Sequence, residues 1–322
     1  MEAFEDLWRQ TRSQLPWPCP FITPFWLETV VEHLGSAGDP LILKVTRDRD
    51  VVGLLPLCHD GPKAFFLGIA DVCDYQDAVL APGHEAGAME DVLAYLSKKG
   101  IHRLELQALR PDAALVNALT AMEKSGGNTG SGRVDISREA SDVTYETELP
   151  GSWEDYLMGL NGKQRHEVRR KLHRLESHGD YRYYLADPGQ GLHGAVDRFL
   201  RLFHLNRKDK SRFMDETMGG YFRALIDRLA QHDLLRLYFL DVADRTVASV
   251  LCFDYLGTRY LYNSGYDAQY QDLSVGILSK VFSIRSAIES GCRSYDFLKG
   301  AEIYKKRIGG QERPLYRFDI TL

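Results

Sequence analysis

Two segments of the sequence concentrate positive charge at spacings that could hold an anion. Residues 163–174 carry six lysines and arginines against one glutamate, and residues 299–317 carry six against two glutamates, with tyrosines among the cations. Like charges four residues apart destabilise an isolated helix, so the first segment is expected to face solvent or an anionic partner such as a phosphate, a nucleotide or an acidic segment. The second could stabilise an oxyanion or hold phosphate oxygens, or could be a basic edge strand protected from aggregation.

A further anion signal lies where a strand and a short loop lead into a helix expected to begin near Ser274. The N-terminus of a helix offers free backbone N–H groups and the positive end of the helix dipole. Gly276 in the first turn would allow a ligand to approach closely. Ordinary capping of the helix by Ser274 is the alternative.

Three carboxylates surround Tyr75 in the first half of the chain, at Asp71, Asp74 and Asp77. Asp74 and Asp77 could accept hydrogen bonds from an amine or could cap a turn, and their spacing favours the turn. The ten histidines show no spacing typical of a metal site, so no metal is expected. Hydrolase elbows, Walker loops and dinucleotide-binding glycine patterns are also missing, which disfavours those chemistries.

The elements that must position these residues occur in the same order twice. In each half, a hairpin with charged turn residues precedes a further strand, a helix that ends at Gly100 or Gly291, and another strand. This order predicts an α+β fold of two units, each a mixed, mostly antiparallel sheet flanked by helices, produced by internal duplication. Two unrelated halves with a similar rhythm are the alternative.

A polar, glycine-rich stretch at residues 124–148 is predicted to be a linker or exposed connection, which divides the chain into domains at residues 1–145 and 146–322. The second domain includes a basic helical block at residues 152–178. Capping boxes at Ser152 and Asn161 predict its helix starts, and further helices are predicted at residues 192–207 and 221–231. In the basic helix, the spacing of Val168, Leu172 and Leu175 predicts the buried side.

The composition of the chain limits the classes of function that it can have. The chain has 322 residues, enough for two domains, and 40 basic against 45 acidic residues give a net charge of −5. The surface as a whole is therefore not expected to bind DNA nonspecifically. Five scattered cysteines, an acidic start without an apolar segment and no long apolar run predict a cytoplasmic protein that does not insert into membranes. Cys252 and Cys292 lack an adjacent histidine and are not expected to be nucleophiles.

Three segments, supported by DYQDAVL in the first half, resemble a known family: WEDYLMGLNGKQRHEVRRKLHRLE, FHLNRKDKSRFMDETMGGYFRALI and SYDFLKGAEIYKKRIGGQERPLYRF. Across roughly residues 21–322 the chain resembles GNAT superfamily acyltransferases of the CelD/BcsL-like type, relatives of the FemABX aminoacyltransferases. The resemblance implies two GNAT-like domains face to face with the active cleft between them. It implies transfer of an acyl group, acetyl or another, from acyl-CoA to a primary amine by direct attack.

The resemblance also implies roles for residues. The CoA phosphates would lie at the start of the second helix, at Ser274, Val275, Gly276, Ile277 and Ser279. The family's phosphate loop usually has an [RQ]-x-x-G-x-[GA] pattern, whereas residues 271–277 have one glycine and an acid nearby. Lys305, with Tyr304 beside it, would polarise the acyl carbonyl, and Asp74 would orient or deprotonate the amine. Substrate contacts are expected from Tyr75, Asp77, Arg165, Arg169, Tyr266 and Lys299.

The acceptor implied by the resemblance is a small molecule, an amino sugar or a peptide amine, with cell-envelope or exopolysaccharide assembly as the setting. Two alternatives remain open. The basic helix at residues 163–174 supports an aminoacyl-tRNA-dependent transferase of the FemABX kind. The missing glycine pattern supports a non-catalytic protein that binds an anion or a partner.

Overall fold

The computed structural model describes residues 2–129, 132–189, 191–206 and 216–322. Its helices are α1 Glu2–Thr11, α2 Pro24–Leu34, α3 Glu85–Lys98, α4 Ala114–Lys124, α5 Trp153–Gly159, α6 Gly162–His178, α7 Leu192–Asn206, α8 Glu216–Gln231, α9 Val275–Glu289 and α10 Ile303–Arg307. Its strands are β1 Asp39–Arg47, β2 Asp50–Asp60, β3 Lys63–Phe66, β4 Val79–Leu80, β5 Arg103–Leu109, β6 Asn128–Thr129, β7 Gly132–Arg133, β8 Asp135–Glu148, β9 Tyr181–Leu185, β10 Leu235–Val242, β11 Arg245–Tyr255, β12 Thr258–Tyr266, β13 Ser294–Lys299 and β14 Gln311–Thr321.

The chain forms two compact units. The first contains Met1–Val143 together with Arg313–Leu322, and the second contains Thr144–Glu312. The last ten residues belong to the first unit because β14 pairs with β5, where Tyr316 lies opposite Leu109 and Thr321 opposite Arg103. In this segment the units differ from the predicted domains, residues 1–145 and 146–322.

The first unit begins its sheet with the hairpin β1–β2, whose turn residues Asp48 and Arg49 have positive φ. β2 pairs antiparallel with β3, and β3 pairs parallel with β5 after the chain has passed through α3. β14 then pairs antiparallel with β5. Apolar side chains of α3 and α4, among them Met89 and Leu119, form one core with the sheet.

The second unit repeats this order. β10 and β11 form a hairpin, β11 pairs antiparallel with β12, and β12 pairs parallel with β13 after the chain has passed through α9. β8 then pairs antiparallel with β13, and β9 adds to β10 at the other side. The predicted fold class, a mixed and mostly antiparallel sheet flanked by helices and used twice, is confirmed.

The stretch at residues 124–148, predicted as a linker or exposed connection, is strand for most of its length. Its last fourteen residues form the strand β8, and Thr144 to Glu148 of this strand pair with β13. Residues 137–142 are exposed, so their polar composition reflects a solvated strand face rather than an unstructured connection. Residues 130–131 lie outside the described part of the chain.

The helical block follows the sequence signals. Ser152 accepts a hydrogen bond from the Asp155 N–H, and Asn161 and Gln164 bond each other's backbone N–H groups in a capping box. Val168 and Leu175 are buried on α6 as predicted, and Leu172 is half-buried. The helices predicted at residues 192–207 and 221–231 correspond to α7 and α8. Residues 207–215, which include Arg207 and part of the second resemblance segment, lie outside the described residues.

Candidate functional site

The two central strands of the second unit diverge. β12 and β13 pair over three residue pairs, ending at Tyr260 and Asp296, although β12 continues to Tyr266 and β13 to Lys299. Leu298 in β13 has a φ of 62°, and the register between β13 and β8 shifts between Asp296 and Lys299. A bulge also interrupts β12 against β11. Beyond Tyr260 and Asp296 no pairing of β12 with β13 is seen in the described residues, so the sheet has a gap there.

The helix start that follows β12 leaves backbone donors available. Ser274, in a left-handed conformation, precedes α9 without a capping bond from its side chain, so the capping alternative is not what the structure shows. Its carbonyl accepts the N–H groups of Ile277 and Leu278. The N–H groups of Val275 and Gly276 precede these first intrahelical bonds and lie at the positive end of the helix dipole.

The basic helix α6 packs against the loop that leads into α9. Lys171 Nζ donates to Ser274 Oγ at 3.4 Å. Arg174 Nη1 donates to the carbonyl of Asp272 at 2.6 Å. The cationic segment at residues 163–174 therefore contacts the loop at the start of α9, which the sequence analysis treated as a separate anion site.

Gly276 has a packing role that the sequence did not reveal. A Cβ at this position would lie 2.7 Å from Cδ1 of Tyr266, so the glycine admits the Tyr266 ring. Its carbonyl accepts hydrogen bonds from Ser279 Oγ at 3.2 Å and Lys280 Nζ at 2.7 Å. Lys280 is buried, with Nζ 5.0 Å from the ring centroid of Tyr304. The only sequence signal for it is a lysine inside an otherwise apolar stretch of helix.

A pocket of about 660 Å³ lies among α6, α9 and α10. It is lined by Asn161, Lys163, Gln164, Glu167, Val168, Lys171, Ile277, Ile303, Lys306, Arg307 and Ile308. Four of these are cations and one is an acid, Glu167, whose carboxylate already contacts Arg170 at 2.9 Å and Lys171 at 3.5 Å. The hydrogen bond from Arg170 lowers the pKa of Glu167 to about 2. The two cationic segments of the sequence thus meet in one pocket with a positive rim and apolar walls.

Lys305 is buried among backbone oxygens. Its Nζ donates to the carbonyls of Leu298 at 2.9 Å, Lys299 at 2.7 Å and Gly300 at 3.0 Å. The Glu302 carboxylate lies 3.0 Å away. An ammonium group has three protons, so a substrate carbonyl could be polarised here only if one of these bonds were given up.

The predicted substrate residues on α6 have different surroundings. Arg165 Nη1 donates to the carbonyls of Met158 at 3.1 Å and Leu160 at 3.2 Å, and so caps the end of α5. Arg169 is exposed on the helix surface. Lys299 is half-buried at the end of β13, opposite Thr144 of β8.

The predicted residues of the first unit lie in the segment before β4 and are buried or half-buried. Asp77 is buried and accepts hydrogen bonds from the N–H groups of Ala114 and Leu115 at the start of α4. Burial raises the pKa of Asp77 to about 6, against the opposing effect of its backbone donors. Tyr75 is buried edge-on against Phe21, and Asp74 is half-buried in a bend.

A buried ion pair missed at the sequence level holds α9 against the sheet. Arg259 bonds Asp254 through Nε at 2.7 Å and Nη2 at 2.8 Å, while its Nη1 reaches Tyr238 Oη at 3.0 Å and Ser286 Oγ of α9 at 3.2 Å. Burial raises the pKa of the nearby Cys252 to about 12, so this thiol stays protonated at neutral pH.

Within the described residues there is no group of three or more His, Cys, Asp or Glu that could hold a metal. No helix in the same part of the chain is long and apolar enough to cross a membrane.

Comparisons with known proteins identify a domain family and a shared fold. Residues 162–306 match the family described as Acetyltransferase (GNAT) domain. A search of curated protein sequences finds no match. Among solved structures, FemX is 12% identical with a TM-score of 0.67, covering 99% of this chain and 96% of its own. A conserved protein of unknown function from Bacteroides thetaiotaomicron is 14% identical with a TM-score of 0.64, covering 100% and 98%.

L-PGS from Bacillus licheniformis is 12% identical with a TM-score of 0.55, covering 92% of this chain and 91% of its own. At these identities the structural matches establish the fold alone. The family match covers α6, the diverging strands, α9 and all but the last residue of α10, and so includes most of the residues that line the pocket. Residues 162–306 therefore match a GNAT acetyltransferase domain, and the fold of the chain is similar to that of FemX.

Proposed function

We propose that this chain is an N-acyltransferase that moves an acyl group from acyl-CoA to a primary amine. The observation that carries the proposal is the cationic pocket among α6, α9 and α10, one of whose lining residues, Lys171, donates to Ser274 at the start of α9. A GNAT domain supports acyl transfer in general. The acetyl group, the CoA donor and an amine acceptor of the small-molecule, amino-sugar or peptide class are parts of the proposal.

The residues present are suited to the phosphates of CoA. Lys171, Lys306 and Arg307 supply positive charge around the pocket. Lys171 also reaches Ser274, next to the N–H groups at the start of α9 that could act as directed donors. The volume of about 660 Å³ is in the range of pockets that hold small-molecule ligands, roughly 300–1,000 Å³. The apolar walls at Val168, Ile277 and Ile308 would contact the uncharged parts of the donor.

The reaction would be a direct transfer. The amine nitrogen attacks the thioester carbon, a C–N bond forms, the C–S bond breaks, and CoA leaves as the thiolate while the amine loses a proton. A covalent intermediate on Cys252 is disfavoured because its pKa of about 12 keeps the thiol protonated. Asp74 as the group that orients or deprotonates the amine, and Tyr304 beside Lys305 at the reaction centre, remain predictions.

Titration calorimetry with CoA and acetyl-CoA tests the donor. Binding with a dissociation constant in the micromolar range is expected, and absence of heat at about 1 mM of either ligand would refute the acyl-CoA proposal. Release of free thiol from acetyl-CoA in the presence of a panel of amines then tests turnover. Binding without turnover on any amine would favour the non-catalytic alternative.

A second candidate function is transfer of an amino acid from aminoacyl-tRNA. The observation that favours it is the exposed cationic surface of α6, where Lys163, Arg169 and Arg174 face solvent. If this surface binds tRNA phosphates, binding releases the counterions that surround them. The affinity for tRNA should then fall steeply as the salt concentration rises from 50 to 200 mM. A flat salt response would exclude this donor.

A further inference from the structure

The end of β13 is built around the ammonium group of Lys305. Three consecutive carbonyls, at Leu298, Lys299 and Gly300, all accept from its Nζ. Carbonyls of an extended strand point alternately to opposite sides, so three in a row can converge only if the backbone departs from extended geometry. Leu298 with φ of 62° and Gly300 with φ of 112° provide that departure.

This arrangement competes with pairing of the two central strands. A carbonyl that accepts from Lys305 is turned away from the in-plane direction needed for a ladder bond to β12. The pairing of β12 with β13 ends at Asp296, two residues before the first of the three carbonyls. The carbonyl cage, defined here as the oxygens of Leu298, Lys299 and Gly300 with the Glu302 carboxylate, thus coincides with the point where the strands diverge.

We propose that Lys305 is a positioning residue: its ammonium group holds the carbonyl cage together and thereby keeps the gap between β12 and β13 open for the donor. Convergent carbonyls with one carboxylate would repel each other without a cation at their centre. Backbone carbonyl cages of this chemistry also bind K⁺. A small cation should therefore replace the ammonium group once the side chain is removed. The role in donor binding rests on the proposed function, whereas the role in holding the cage does not.

The test uses Lys305→Ala, which empties the cage, and Lys305→Met, which fills it with an apolar chain of similar length. Both are expected to lower the thermal midpoint by about 5–10 °C and to raise the dissociation constant of CoA at least about tenfold at a temperature where the variant is folded. About 0.2 M KCl should restore most of both losses in Lys305→Ala, relative to tetramethylammonium chloride at equal ionic strength. It should restore neither in Lys305→Met. The control Lys98→Ala removes an exposed lysine of α3 and should change neither quantity.

Other outcomes overturn the proposal in distinguishable ways. If Lys305→Ala keeps its thermal stability and CoA affinity and loses only turnover, Lys305 is a catalytic residue. Lost stability with normal CoA affinity would make it structural only. Should Lys305→Ala not fold, Lys305→Gln keeps two N–H donors, and CoA affinity equal to wild type in that variant would also refute positioning. If wild type itself does not bind CoA, the proposed function fails, while the thermal comparison in KCl still decides whether the cage needs a cation.

Discussion

Replacing Lys171 by methionine should weaken CoA binding by about five- to tenfold. The side chain is 22% exposed and reaches Ser274 at the start of α9, so its charge lies where a phosphate would bind and is only partly screened. Hydrogen bonds to charged groups contribute about 1.5–3 kcal/mol, and the existing contact with Glu167 at 3.5 Å reduces the net effect to roughly 1–1.4 kcal/mol. At about 1.4 kcal/mol per tenfold, this gives the stated range.

Titration calorimetry at low and moderate salt measures this effect, and Arg285→Met provides a matched control. Arg285 lies on α9 in the same unit, carries the same charge, and pairs with Glu289 at 2.9 Å without lining the pocket. Its replacement should change CoA affinity less than about twofold because its charge is exposed and already paired. Equal losses in the two variants would show that the net charge of the unit, rather than the pocket, governs binding. An unchanged affinity in Lys171→Met would place the phosphates elsewhere.

Three further predictions concern how the site is held. Gly276→Ala should destabilise the protein by about 1–3 kcal/mol in urea unfolding because its Cβ would lie 2.7 Å from Tyr266. The double variant Gly276→Ala, Tyr266→Ala should recover part of this lost stability, and no recovery would refute the contact. Arg259→Met should cost about 3–5 kcal/mol because it leaves the Asp254 carboxylate without its bidentate partner, and a loss under about 1 kcal/mol would contradict that assignment. The pKa of Asp77 in the folded protein, about 6, is above its ordinary value of 3.8, so its stabilising contribution is complete below about pH 4 and is lost as the pH rises through 6. The stability of wild type relative to Asp77→Asn should therefore fall by roughly 3 kcal/mol between pH 4 and 7, and a rise would show that the backbone donors outweigh burial.

The sequence predicted those features that local physics determines. Polar residues three apart mark the capping box at Asn161 and Gln164, and glycines after periodic segments mark the ends of α3 and α9, with Gly100 and Gly291 both at positive φ. Charged hairpin turns and alternating strand patterns predicted that the same order of elements occurs twice. Such signals act over a few residues, so they can be identified without knowledge of the fold.

Features that depend on distant contacts were not accessible in the same way. The strand β8 reads as a polar linker because residues 137–142 are exposed and its neighbours in the sheet, β13 and β14, lie far away in the sequence. Lys305 looks like one cation among several, and only the fold shows that three carbonyls enclose it. The pocket combines residues of α6 and α10, which are more than 100 residues apart in sequence, as the bond from Gln164 to the Lys306 carbonyl shows. Proximity of this kind cannot be derived from spacing.

The place of β14 constrains the order in which the protein can fold during synthesis. Arg103 of β5 bonds Asp319 of β14 across 216 residues of sequence, so the first unit lacks a strand of its sheet until the whole second unit has left the ribosome. Until then β5 presents an unpaired edge, which is a hazard for aggregation. Contacts of such long range also slow folding. A fragment that stops at residue 143 is therefore a poor substitute for the first unit, and the second unit must fold as an insertion within the first.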